Sequence, residues 1–188
     1  MGLIRNILAL LGAAAVAGML YGTTILSEFD SGAVPMYKAF AGRLLESMDP
    51  GKAMVYSVQV NEDLTAEDVK ESLKSLASAE NFLFVGEAPF YKQVEAMTGE
   101  PYRHVTFLSF CDASVGQMML EHNDVYAAFM PCRIALVEDK NGRLWMHTMA
   151  LDMMIYGGRE LPPELKSEAQ RIWGIMQKIM QGAAEGEF

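Results

Sequence analysis

Only two cysteines and three histidines occur in this chain of 188 residues. Two thiols cannot staple a disulfide-dependent scaffold, so the fold must rest on an apolar core. No Cys-x-x-Cys-His is present, which excludes covalently attached c-type haem. Gly-x-Ser-x-Gly, His-Glu-x-x-His and a phosphate-cradling glycine loop are also missing, so no signature marks a serine hydrolase, a zinc protease or a nucleotide site. Positive charge is scarce: 15 Lys and Arg stand against 24 Asp and Glu, a net charge of −9, with no basic cluster. Nucleic acid is therefore not an expected partner. The acidic pairs Glu62-Asp63 and Glu138-Asp139 fall at turns and read as solvated faces rather than as a general acid and base.

Charge is absent altogether from Ile7 to Leu26, a run that as a helix would span about 30 Å, the thickness of a hydrocarbon core. Arg5 precedes it and Glu28 and Asp30 follow. That asymmetry predicts a single-pass inner-membrane anchor with a cytoplasmic N-terminus and a periplasmic domain. The rival is a cleavable signal, for which Ala13-x-Ala15 or Ala15-x-Ala17 offer sites. The apolar run continues through Met19-Leu20-Tyr21 and Ile25-Leu26, which favours a retained anchor. Gly12, Gly18 and Gly22 make a small-residue stripe of the kind along which membrane helices pack.

Three parts are expected: an anchor over 1–27, meeting lipid through residues 4–26, an amphipathic linker helix over 28–51, and a domain over 52–188. In the linker, Met36, Phe40, Leu44 and Met48 recur at helical spacing before Asp49-Pro50-Gly51 stops it. In the domain, 53–61 and 104–111 alternate as strands. Thr65-Ala-Glu-Asp68 caps a helix that buries Val69, Leu73, Leu76 and Ala77. Ser114 to Gln117 has the form of a capping box heading a helix with Met118, Met119 and His122. Asn141-Gly142 predicts a two-residue hairpin turn. A last helix carries Leu165, Ala169, Ile172, Trp173, Met176, Ile179 and Met180 on one side. The predicted class is α+β, a two-layer arrangement with helices on one sheet face, preceded by a transmembrane helix.

"YRHVTFLSFCD", then a helix, then "VYAAFMPCRIALVEDKNGRLWM" and "MALDMMIYGG", resemble the family known as domain of unknown function 302. Tyr102-Arg103, Cys111 and Met130-Pro131-Cys132 are the most specific pieces, and the likeness covers roughly residues 53 to 180. The family commonly has Asn-Pro after the first cysteine, where this chain has Asp112-Ala113. The resemblance implies a compact two-layer, dimer-forming domain and carries no settled activity.

Fifteen methionines are many for this length. They serve either as soft core filling or as thioether ligands for a metal such as Cu(I). A two-residue turn would set Leu136 opposite His147, Ile134 opposite Met149 and Cys132 opposite Leu151. Cys132, Ile134, Leu136, Trp145, His147 and Met149 would then share a face. His147 would lie roughly 13 Å from Cys132, too far to share a metal. Met149 would be its diagonal neighbour, so Cys132 with Met149 is the candidate metal pair, with Met130, Met153 or Cys111 as a third ligand. The bland alternative is that this face is core. The other face, apolar as well, would need cover from a second protomer, the linker helix or a partner.

Cys111 ends a strand ahead of a helix whose amides favour a thiolate, while Asp112 opposes it. A Cys111–Cys132 disulfide would close about 21 residues, worth on the order of 3 kcal/mol. A right-handed crossover would make the two strands parallel and put the cysteines at opposite sheet edges, against that bond. His104 and His122 read as strand-edge or helix-end residues. Two functions stay open. One is a membrane-anchored accessory domain, associating with itself or with membrane-complex subunits, that holds copper, a non-covalent haem or a sulfur species near Cys132, Met149, Cys111 and Met130. The other is a thiol-dependent redox or sulfur-transfer enzyme using Cys111 or Cys132.

Overall fold

A computed structural model describes residues 2–188. Its first element, α1 (Gly2–Leu26), buries none of its residues against the rest of the chain. With a mean hydropathy of 1.9 over its most apolar window, it is long and apolar enough to cross a membrane.

The connector after α1 is docked rather than loose. Phe29 bridges Arg159, the Asp30 amide donates to the Gly158 carbonyl at 2.8 Å, and Arg159 pairs with Glu28 at 2.6 Å. Asp30 is only 3% exposed, accepts the Gly32 amide at 2.7 Å and pairs with Lys166. Gly32 is required by closeness: a Cβ there would stand 2.7 Å from the Tyr156 ring. Helix α2 (Ala33–Ser47) follows and ends at Met48 in a left-handed conformation. Asp49-Pro50-Gly51 does more than stop it. Asp49 caps a further turn, α3 (Pro50–Ala53), accepting from the Gly51 and Lys52 amides.

The domain is built of β1 (Val55–Gln59), α4 (Ala66–Ala79), β2 (Leu83–Pro89), α5 (Phe90–Thr98), β3 (Val105–Cys111), α6 (Ala113–His122), a 3-10 helix (Asp124–Phe129), β4 (Cys132–Glu138), β5 (Leu144–Met149), α7 (Asp152–Tyr156) and α8 (Pro163–Glu185). The strands form one sheet in the order β1-β5-β4-β3-β2, every neighbouring pair antiparallel. Thr65 and Asp68 make the capping box expected of α4. Val69 and Leu73 of α4 and Met176, Ile179 and Met180 of α8 close over Leu108, Phe110, Ile134, Leu136 and Met146 of the sheet. Each such large side chain contributes roughly 1.5–3 kcal/mol on leaving water. The helices thus cover the expected single face, except that α5 sets Phe90 against Phe107 on the other.

Two expectations about the sheet are overturned. The hairpin turn is longer than two residues: the Asp139 amide meets the Arg143 carbonyl at 2.8 Å, and Gly142 takes φ +79°. The Asp139 carboxylate accepts the amides of Asn141 and Arg143, which stabilises a three-residue bulged loop. One extra residue slips the register, so Ala135 faces His147 and Leu136 faces Met146. Since side chains alternate, Trp145, His147 and Met149 pass to the face away from Cys132, Ile134 and Leu136. Second, β3 and β4 are antiparallel, with Phe110 opposite Cys132. Helix α6 and the 3-10 helix fold on each other and return the chain to the edge it left. Cys111 and Cys132 therefore sit at the same edge, not at opposite ones.

Candidate functional site

The end of β3, the head of α6 and the start of β4 converge on sulfur. Asp112, not Ser114, is the N-cap of α6, accepting the Ser114 amide at 3.1 Å and the Val115 amide at 3.2 Å. Burial works to raise its pKa, but the Ser114 hydroxyl, Arg171 and the Val115 amide hold the carboxyl down at about 2. The helix amides expected to acidify Cys111 are thus taken by its neighbour. Burial, and then the Asp112 charge, push the Cys111 thiol up. Burial and the nearby Cys111 push Cys132 up to about 11. Both are free thiols.

Gly116, one turn into α6, is where the cluster closes. A Cβ added there would lie 3.4 Å from Met130 Sδ and 3.9 Å from Cys111 Sγ. Cys111, Cys132, Met130 and Met119 line one half-open space of about 30 Å³, walled otherwise by Phe82, Phe110, Asp112, Val115, Gly116 and Ile172. That admits a single atom or ion and no porphyrin. Two thiols and two thioethers are a soft donor set, with Asp112 at the same wall. Among the described residues, no group of three or more His, Cys, Asp or Glu gathers that could hold a harder metal.

Met149, offered as the partner of Cys132, is not beside it on one face. The β4–β5 ladder stops at Ala135–His147, and beyond it the Thr148 hydroxyl donates to the Arg133 carbonyl at 2.9 Å. There the two strands part. A cavity of about 420 Å³ opens on the outer face with Met149, His147 and Arg133 at its wall, and reaches Met130, Cys132 and Met176 through the gap. Cys132 and Met149 border the same cavity from opposite sides. Met153 is exposed on α7, and Met154 takes the place near Met130.

The histidines divide. His147 Nδ1 lies 2.8 Å from the Ser57 hydroxyl, and burial lowers its pKa. His104, tilted against Tyr91 at 4.9 Å between ring centroids, is lowered by burial and by Lys70. His122 stands near Tyr126 and lines neither the sulfur space nor the larger cavity. Sequence reasoning missed Gly116, Met119 and Arg133. Met119 carried a usable signal, since it lies one turn beyond Val115 on the buried stripe of α6. Gly116 and Arg133 carried none without the fold.

Residues 56–181 match the sequence profile of the family described as domain of unknown function DUF302. The chain belongs to the DUF302 family. No curated protein matches it. The crystal structure of an uncharacterized conserved DUF302 protein from Bacillus stearothermophilus is similar, with a TM-score of 0.56 and 17% identity over 68% of this chain and 96% of that one. A likeness at that identity is one of fold. The DUF302 region begins beyond α1, α2 and α3, so the membrane-length helix precedes it.

Proposed function

We propose that this protein is a membrane-anchored accessory domain that holds one Cu(I) ion among Cys111, Cys132, Met130 and Met119. The reading is carried by one observation: two free thiols and two thioethers share a space sized for one atom. A single thiolate with thioethers would leave the complex neutral, which suits an apolar site. The balance is one proton released for each thiolate formed. In this reading α1 is a single-pass inner-membrane anchor, cytoplasmic at its N-terminus, with the domain on the periplasmic side. Arg5 before the helix and Glu28 and Asp30 after it support that orientation. Association with a second copy or with membrane-complex subunits would run through α1, whose apolar surface the domain leaves uncovered.

The rival, a redox or sulfur-transfer enzyme working through Cys111 or Cys132, has the nearness of two thiols in its favour. Against it, burial keeps both protonated at neutral pH, the reverse of what a nucleophile requires. Anaerobic Cu(I) titration against a chromophoric chelator decides. One equivalent is expected to be retained per chain, and Cys132→Ser and Gly116→Leu are each expected to weaken it by at least about tenfold. Thermal melts establish that both variants fold. Retention that ignores both substitutions, or no retention at all, defeats the copper reading. Rapid reaction of the folded chain with a thiol reagent at pH 7 would favour the rival.

A further inference from the structure

We propose that the outer-face cavity between β4 and β5, which adjoins the sulfur space at Met130 and Cys132, is itself a binding site for a small organic anion, with a flat apolar body and a carboxylate-type head on Arg133. The inference goes beyond the copper reading and does not require it.

Size comes first. About 420 Å³ falls within the range of small-molecule pockets, whereas the sulfur space admits one atom. The floor is apolar, formed by Val55, Phe107, Ala135, Met149 and Leu151. The site exists because the β4–β5 ladder ends early, where the Thr148 hydroxyl takes up the Arg133 carbonyl.

Charge then selects the ligand. Among the described residues of the domain and its connector, every other arginine is engaged. Arg43 and Arg103 donate to carbonyls, and Arg143, Arg159 and Arg171 pair with carboxylates. Arg133 has neither kind of partner, although the chain carries a net charge of −9. Its guanidinium lies over the Phe107 ring at 5.5 Å, at the cavity wall. A guanidinium presents a planar fork that matches a carboxylate in two parallel hydrogen bonds. His147, held through Nδ1 by Ser57, adds a second polar edge to the same wall.

The test uses the full chain in lipid nanodiscs without copper, with empty nanodiscs as the blank. Calorimetry compares 2-naphthoate with its neutral isostere 2-naphthamide. The anion is expected to bind more tightly. Arg133→Gln is expected to lower 2-naphthoate affinity by about tenfold and leave 2-naphthamide unchanged. Ala135→Leu, which fills the floor from an outer-face position, is expected to weaken both. Both sites lie off the helix-covered core, and a melt confirms the fold. Failure of the wild type to bind 2-naphthoate, equal affinity for the two ligands, an Arg133→Gln variant that binds unchanged, or an Ala135→Leu variant that binds both unchanged would each overturn the proposal. Because the calorimetry is run without copper and reads Arg133 and Ala135, neither of which lines the sulfur space, its failure is distinguishable from failure of the copper reading.

Discussion

Cys132 sits where the chain enters the core, with Phe110 across the ladder and Met130 just before it. Its thiol, held at about 11, links stability to pH. The folded chain keeps this proton over a range in which an unfolded thiol has lost it. The contribution is therefore complete below the ordinary thiol value, near 9, and declines as pH rises to about 11. A rise of that size is worth roughly 2–3 kcal/mol, so the stability lost between pH 8 and pH 11 in urea unfolding should be smaller by that order in Cys132→Ala than in the wild type. The remainder belongs to Cys111 and to Lys70, Lys166 and Lys178. The same proton governs the copper reading. If Cys132 is the thiolate ligand, apparent Cu(I) affinity should rise about tenfold per pH unit between pH 6 and 9, a slope measurable by chelator competition. A flat profile would mean that the ion, if bound, takes only thioethers.

Elements set what those residues can reach. The connector is held to the domain by the ion pair of Asp30 with Lys166 and by the Tyr37 hydroxyl on the Gly157 carbonyl at 2.7 Å. The Lys166 ammonium, opposed by burial and aided by the Gly32 amide, keeps the Asp30 carboxyl below its ordinary 3.8. With the folded value depressed, the docking contribution is present above about pH 4 and fades as pH falls through the lowered value. Hydrogen exchange should show residues 28–36 opening in acid before the sheet does, and Asp30→Asn should open them at neutral pH while leaving β3 and β4 protected. Equal loss of protection in both regions would show that connector and domain form one cooperative unit. Elements also explain the register. Asn141-Gly142 is a fair signal for a two-residue turn, yet the carboxylate of Asp139, two residues earlier, captures two amides and selects the bulged loop.

At the scale of the whole molecule, α1 and the domain are energetically separate. Since α1 buries nothing against the domain, removing residues 2–26 should leave its unfolding free energy within about 0.5 kcal/mol while abolishing sedimentation with membranes. A larger loss would mean that α1 braces the domain. The sequence by itself determined the membrane-length helix, the α+β class, the capping of α4 and the family resemblance, and it named Cys111, Met130 and Cys132, soft side chains that line one space. Those follow from local quantities: hydropathy over twenty residues, periodicity, cap chemistry and side-chain softness. Only the tertiary structure decided that Met149 faces away from Cys132, that the two cysteines share a sheet edge, and that Gly116 and Met119 line the same small space as both cysteines. The physical reason is that sheet pairing has a period of two. One carboxylate lengthening a turn by a residue inverts every side chain beyond it, and whether a connection crosses the sheet or folds back on itself depends on packing that no local pattern encodes.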